Sequence, residues 1–423
     1  MDGVIVTFLS WVITILLFGI CVWGIYNLPI LAVGIKDSKS ARLRCSETKL
    51  KNSNLLTYSI IIPAKNEEKV ISRLLHALSM LNYPAANKEI IVVIDGSNDK
   101  TFDICKRYAE EHERVKVLVK STSDGKPSAL NFGLKHAAGD IVAVFDADSV
   151  PDANILSAVS KYFADPHVAA VQGRSLSINA KENMLTEFVS YEDAVWCEAY
   201  LRGKDALNLF VHLRGSCQFV RRVVLEKLGG FHESFLSEDM ELSARLLKNG
   251  LKIRYAPDVM TWQENPPDLK TFFRQRTRWF RGTMEVALKY GRLIANPNLV
   301  KFDAEMTLFG PFILIFSTLP FVAGLVSFVF PLPFGLFWNF TVQLAVLTTM
   351  FTLLLCGLAL FYVTKPRRLK NILWLPFVYS YWNLQAVIAT YSLLLILLRR
   401  PRLWKKTSKS GVITVNLKQE ELV

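Results

Sequence analysis

Two aspartates, Asp146 and Asp148, stand two positions apart in "VFDADS". Where a strand gives way to loop, both carboxylates can turn toward one small site. Two carboxylates with room left for phosphate oxygens are a way to hold Mg²⁺ or Mn²⁺. A second acidic pair, Glu238 and Asp239, stands in "SEDMELSARLLKNG". Lys126, between Gly125 and Pro127 and just ahead of an expected helix, could face an anion with help from that helix's N-terminus. The segment Thr271–Leu293 mixes Arg274, Arg276, Arg278, Arg281, Lys289 and Arg292 with Phe272, Phe273, Trp279 and Phe280. Nucleic acid, a membrane face or a phosphorylated substrate would each suit it. Every one of these features has a plainer explanation alone: a solvated turn, acids matching a helix dipole, an exposed loop lysine. Their combination does not.

Such residues need a frame. The apolar runs in "YSIIIPAKNEE", "EIIVVIDGSND", "VKVLVK" and "DIVAVFDADS" read as strands, separated by helices expected over Glu68–Leu81, Thr101–His112 and Ser128–Ala138. Strands that are apolar without alternation, divided by amphipathic helices, predict an α/β fold whose parallel sheet is buried on both faces. Ligands of such sheets lie beyond the carboxyl ends of the strands. There stand Lys65, Asn66 and Glu67, then Asp95, then Asp146 and Asp148. Glu238 and Asp239 open a further helix, with Leu242, Leu246 and Leu247 at helical spacing.

Of the 423 residues 51% are hydrophobic, and they concentrate in Val4–Tyr26, Met306–Phe330, Leu336–Val363 and Ile372–Leu398. Each run is near or above the ~20 residues that cross a bilayer. The first is too long, and too poor in positive charge at its start, for a cleaved signal peptide, and reads as an anchor. The net charge of +13 gathers beside these runs: Lys36, Lys39, Arg42 and Arg44; Lys365, Arg367, Arg368 and Lys370; Arg399, Arg400, Arg402, Lys405 and Lys406. Basic flanks mark the cytoplasmic side, so the charge is topological and does not indicate nucleic acid. The uncharged link "FPLPFG" suits the outer side. Ile372–Leu398 has cationic clusters at both ends and contains Pro376, Asn383 and Gln385. It is expected to be an interfacial helix or a shallow hairpin, leaving three crossings, with four as the rival. Six scattered cysteines without CxxC spacing suit reduced thiols, and six dispersed histidines imply neither zinc nor haem.

In this order, "IIPAKNEE", "VVIDGSNDKT", "GKPSALNFGLKHAAGD", "VFDADS", "RGSCQFVRR", "GGFHESFLSEDMELSARLLKNG" and "QRTRW" resemble the family 2 inverting glycosyltransferases. They resemble above all the membrane branch with cellulose, hyaluronan and poly-N-acetylglucosamine synthases. The resemblance covers roughly residues 58–282 and implies a GT-A domain, Rossmann-like with a mostly parallel sheet, carrying transmembrane helices at both ends. It implies that Ala64, Glu67, Asp95, Lys126, Asp146, Gln275 and Arg278 bind the nucleotide sugar. Asp146 and Asp148 would hold Mg²⁺ or Mn²⁺, and Asp239 would be the general base. Gly215, Ser216, Glu238 and Trp279 would meet the acceptor. Where the family often has two adjacent aspartates, Ile94 precedes Asp95 here, and uracil is the expected base. "WKKTSKSG" (Trp404–Gly411) is similar to a mobile gate of processive relatives.

The expected organisation is an anchor at 1–35, a linker at 36–57 and a cytosolic catalytic domain at 58–262. Interfacial helices with QxxRW follow at 263–304, with Phe272, Phe273 and Phe280 expected against the bilayer boundary and Arg274, Arg281, Lys289 and Arg292 at the head groups. Two transmembrane helices at 305–364, an interfacial or transmembrane helix at 365–398 and a basic tail at 399–423 complete it. The expected activity is that of a metal-dependent hexosyltransferase in the cell membrane, multi-pass, extending a β-linked polysaccharide from a UDP-sugar. The rival transfers one sugar to a lipid or lipid-linked acceptor. A non-catalytic transporter or scaffold is the rival from another class. Partners would be the donor, the growing glycan or lipid-linked acceptor, membrane lipids, and further copies or accessory subunits.

Overall fold

The computed structural model describes residues 2–44, 55–291, 298–329, 375–402 and 406–415, with further helical positions between 336 and 354. After helix α1 (Asp2–Arg44), the four expected strands form as β1 (Tyr58–Ala64), β2 (Lys88–Ile94), β3 (Val115–Val119) and β4 (Ile141–Val144), all parallel. Between them run α2 (Ile71–Ser79), α3 (Thr101–Glu111) and α4 (Lys126–Leu134). Successive strand residues point to opposite faces, and both faces are apolar here. Ile60, Ile62, Ile90 and Val92 enter one core, while Ile61, Ile91, Val93 and Val142 enter the other.

Four further strands, β5 (Val150–Pro151), β6 (Val168–Ser177), β7 (Gln218–Arg221) and β8 (Lys252–Gln263), extend the sheet to the order β3-β2-β1-β4-β7-β6-β8-β5. Strand β7 is antiparallel to β4 and β6, so the sheet is mixed. The helices of this half are α5 (Ile155–Ser160), α6 (Met184–Val195), α7 (Arg202–Ala206), α8 (Arg222–Lys227) and α9 (Glu238–Lys248), with a π-helical turn at Trp196–Leu201 joining α6 to α7. This is a Rossmann-like GT-A fold.

The chain continues through α10 (Leu269–Tyr290), α11 (Leu299–Leu308), α12 (Gly310–Val329) and α13 (Leu375–Leu397). Among the described residues two stretches are long and apolar enough to cross a membrane, Thr7–Asp37 and Tyr379–Leu397, and a third counts if α11 and α12, bent by 56°, make one span. Helix α1 runs on to Arg44, so the first part of the expected linker is helical.

Two expectations are corrected. Ile372–Leu398 does not fold as a hairpin, because Leu375–Leu397 is one helix. Pro376 lies in its first turn, where a missing N–H costs nothing. Asn383 Nδ2 donates to Tyr379 O at 2.9 Å, and Gln385 Nε2 donates to Glu192 Oε1 at 3.0 Å. Satisfied in this way, the polar residues do not break the helix. The rings of α10, expected against lipid, pack inward instead: Phe272 is fully buried beside Phe188, Tyr381 and Ile388, with Phe273 and Phe280 at the edge of that cluster. Arg281, expected at head groups, is 6% exposed and bonds to Glu285 and the carbonyls of Arg400 and Pro401. Arg292, the "FPLPFG" link and most of Leu336–Val363 lie outside the described residues.

Candidate active site

Lys126 is the hub of the site. It is the first residue of α4 rather than a loop residue before it, delivered by Gly125 at φ +93°. Its Nζ donates to Asp146 Oδ1 at 2.6 Å and to Gly215 O at 2.8 Å, and lies 3.5 Å from Glu238 Oε1. Burial disfavours the ammonium, but Asp146, Glu238 and Asp239 outweigh it and hold its pKa above the ordinary lysine value. Gly215 adopts φ +78°, and a Cβ there would stand 3.1 Å from Asp239 Oδ2 and 3.3 Å from Lys126 Nζ. Only glycine allows both the turn and the approach. Ser216 Oγ accepts from Asp146 N at 3.1 Å and lies 3.1 Å from Ser149 Oγ.

Asp239 sits in the first turn of α9, one residue after Glu238. Burial, then the neighbouring Glu238 charge, pushes its pKa up to about 7, while Lys126, the Met240 N–H and Arg278 pull the other way. A carboxyl so placed is poised to exchange a proton near neutral pH. Arg278 arrives on α10, whose Gly282 presses on the start of α9: a Cβ there would come within 2.2 Å of Ser237 Oγ. Gln275 Oε1 is buried with no hydrogen-bond partner among the described residues. Trp279 stacks under the Arg276 guanidinium, 4.5 Å from the ring centroid. Arg276 pairs with Glu192, which also accepts from Tyr381 Oη at 2.6 Å.

Toward β1 and β2, the second aspartate has different company. Asp148 is buried, and its Oδ2 accepts from Glu264 N at 2.8 Å and Lys409 Nζ at 2.6 Å. Burial would raise its pKa, but Lys409, the Glu264 N–H and Arg73 together hold it below the usual carboxylate value. Glu67 is pushed up to about 7 by burial, opposed by Lys406 at 3.0 Å and reinforced by Asp148. Ala64 O accepts from Asp95 N at 2.9 Å. Asp95 Oδ2 accepts from Ser123 Oγ at 3.0 Å, and Lys120 lies 3.3 Å from Oδ1.

The expected residues therefore fall into two linked groups. Lys126, Asp146, Gly215, Ser216, Glu238, Asp239 and Arg278 meet at one end, Glu67 and Asp148 at the other, with Ala64 and Asp95 beyond. Among the described residues no group of three or more His, Cys, Asp or Glu side chains could hold a metal ion. Two carboxylates and phosphate oxygens could make up such a shell, but here Asp146 pairs with Lys126 and Asp148 with Lys409. Sequence reasoning missed Glu264, Arg73, Glu192 and Lys409. For Lys409 a signal existed in "WKKTSKSG"; Trp404 of that stretch lies outside the described residues. The others carry no local signature.

A family model described as "Glycosyltransferase like family 2" matches residues 56–282. A probable glycosyltransferase, YdaM of Bacillus subtilis, is 37% identical over 55% of this chain and 56% of its own. The β-monoglucosyldiacylglycerol synthase of Trichormus variabilis is 36% identical over 57% of this chain and 52% of its own. The poly-β-1,6-N-acetyl-D-glucosamine synthase of Staphylococcus epidermidis is 27% identical over 55% of both chains. The chain spans about half the length of the curated relatives it matches. Among solved structures, a mannosyltransferase from Pyrobaculum calidifontis in complex with GDP-Man and Mn²⁺ superposes with a TM-score of 0.60, covering 92% of this chain and all of that one at 19% identity. That likeness concerns the fold.

Proposed function

This chain belongs to glycosyltransferase family 2, and on that footing we propose that it transfers one sugar from a nucleoside diphosphate sugar to a membrane lipid or lipid-linked acceptor, inverting the anomeric carbon. The observation that carries this reading is Asp239, a half-buried carboxyl with a pKa pushed up to about 7 beside Lys126 and within the field of Arg278. The acceptor hydroxyl gives its proton to Asp239 as its oxygen bonds to the anomeric carbon. The bond from that carbon to the diphosphate oxygen breaks on the opposite face, and the nucleoside diphosphate leaves. A single displacement turns an α-linked donor into a β-linkage. Lys126 and Arg278 offset the negative charge that develops on the leaving group. Asp146 and Asp148 would hold Mg²⁺ or Mn²⁺, which supplies further neutralisation of the diphosphate when bound. Ala64, Glu67 and Asp95 would line the nucleoside end, with UDP the preferred carrier. Gln275, Glu238, Gly215, Ser216 and Trp279 would border the acceptor.

Two observations favour a lipid acceptor over a polymer. The sequence has only four long apolar runs, few for a polymer channel, and the lipid glucosyltransferase above is closer in sequence than the polysaccharide synthase (36% against 27%). The processive reading keeps one support, the gate-like "WKKTSKSG". The basic flanks favour a membrane-anchored enzyme with its site on the cytosolic side. Purified protein with Mn²⁺, a panel of UDP- and GDP-sugars, and either diacylglycerol or a polyprenyl phosphate tests the proposal by mass spectrometry. A single added hexose supports it. A ladder of long products would replace it with the processive reading.

A further inference from the structure

The tail segment 406–415 crosses the same strand ends, and it is held residue by residue. Lys406 pairs with Glu67 at 3.0 Å, and Lys409 Nζ donates to Asp148 Oδ2 at 2.6 Å and to Glu264 O at 3.3 Å. Glu264 Oε2 accepts from Ser410 N at 2.9 Å and Gly411 N at 3.1 Å, while Ser410 Oγ bonds Glu182 Oε2 at 3.1 Å. Thr414 N donates to Ile178 O at 3.0 Å, and Val415 packs with Val150, Ile178 and Trp262. The receiving carboxylate is prepared for this: Glu264 is 3% exposed and steadied by Arg73 at 3.0 Å.

We propose that Lys409 is a tethered cation occupying the metal position on Asp148, so that docking of the tail and loading of a divalent ion exclude one another. The inference rests on the reading of Asp148 as a metal ligand. An ammonium in contact with Asp148 Oδ2 leaves no room for a divalent ion at ~2.0–2.6 Å from the same oxygen, and the two positive charges repel. A buried carboxylate without a counter-charge is costly, and Lys409 spares the resting protein that state. When ion and donor arrive, Lys409 must withdraw, which releases the tail from Glu264. The tail thereby senses whether the site is loaded.

Mn²⁺ binding to the full chain in detergent, with UDP present to supply phosphate oxygens and read against a UDP-only control, tests this through the paramagnetic signal of free Mn²⁺. If the tail is docked nine-tenths of the time, Lys409→Ala lowers the apparent Kd about tenfold, because affinity scales with the competent fraction. Lys409→Arg keeps the charge and binds Mn²⁺ like the parent, and Asp148→Asn abolishes binding. An unchanged or raised Kd in Lys409→Ala, with binding still lost in Asp148→Asn, overturns the inference and leaves the site reading standing. Mn²⁺ binding that survives Asp148→Asn overturns both. A second readout needs no variant: hydrogen exchange at the Ser410 and Gly411 amides accelerates on saturation with Mn²⁺, and unchanged protection contradicts the proposal.

Discussion

Asp239 and Glu238 are adjacent carboxyls that share Lys126 with Asp146, and Arg278 does not make up the deficit at Asp239. One of them is therefore held partly protonated. For a general base this sets the direction of the pH response: the proton must be absent before Asp239 can accept another. The expected kcat/KM profile rises with pH through an apparent pKa near 7. Asp239→Asn removes that limb and lowers turnover by about 10²–10⁴-fold, with donor affinity retained, as measured by nucleotide-sugar titration. The same raised pKa makes Asp239 bind its proton more tightly in the folded protein than in the unfolded chain. Its contribution to stability is thus fully present below the usual carboxyl pKa and lost as pH rises through 7. Relative to the parent, Asp239→Asn is more stable at pH 8 than at pH 4 in thermal unfolding.

Helix α10 carries the signature residues, and its own placement depends on contacts far away in sequence. Glu192 of α6 gathers Arg276, Tyr381 and Gln385, tying α6, α10 and α13 into one clasp behind Trp279. Glu192→Ala leaves Arg276 buried without its carboxylate. With Glu192 a quarter exposed (26%), the expected loss is about 2 kcal/mol, below the ~3–5 kcal/mol of a fully buried pair, read by denaturant unfolding. KM for the acceptor rises more than KM for the donor. None of this was legible locally. The alternation of arginine and aromatic residues in "TFFRQRTRWF" describes a membrane-surface helix equally well, and only contact with Tyr381 and Ile388, over a hundred positions onward, turns Phe272 inward. The first half of the sheet was legible because Ile60–Ile62 and Ile90–Val93 are apolar on both faces. Strand β8 was not, since Arg254, Pro257 and Asp258 interrupt its pattern and its pairing with β6 shifts register at Gly173 and Arg174.

Across the whole molecule, the apolar helices are fastened to the sheet domain by a buried ion pair. Lys204 of α7 and Asp303 of α11, both fully buried, lie 2.8 Å apart, and Asp303 also accepts from Tyr26 Oη of α1 at 2.8 Å and from Phe210 N at 2.8 Å. Lys204→Met strands the Asp303 charge and destabilises by about 3–5 kcal/mol, seen as a lower unfolding midpoint in detergent. The long apolar runs of α1 and α13 were plain from composition, and this latch was not, because nothing near Lys204 or Asp303 in sequence marks a partner ninety-nine residues away. Alkaline carbonate is expected to leave the chain in the membrane pellet; release into the supernatant would remove the anchor. Asp239 is proposed to drive inversion at a nucleoside diphosphate sugar. The most direct test is the anomeric configuration of the transferred sugar, read by nuclear magnetic resonance on the product of an α-linked donor, with Asp239→Asn in parallel. A β-linked product that the variant fails to make is the predicted result. An α-linked product, or a β-linked one formed equally well by the variant, would contradict it.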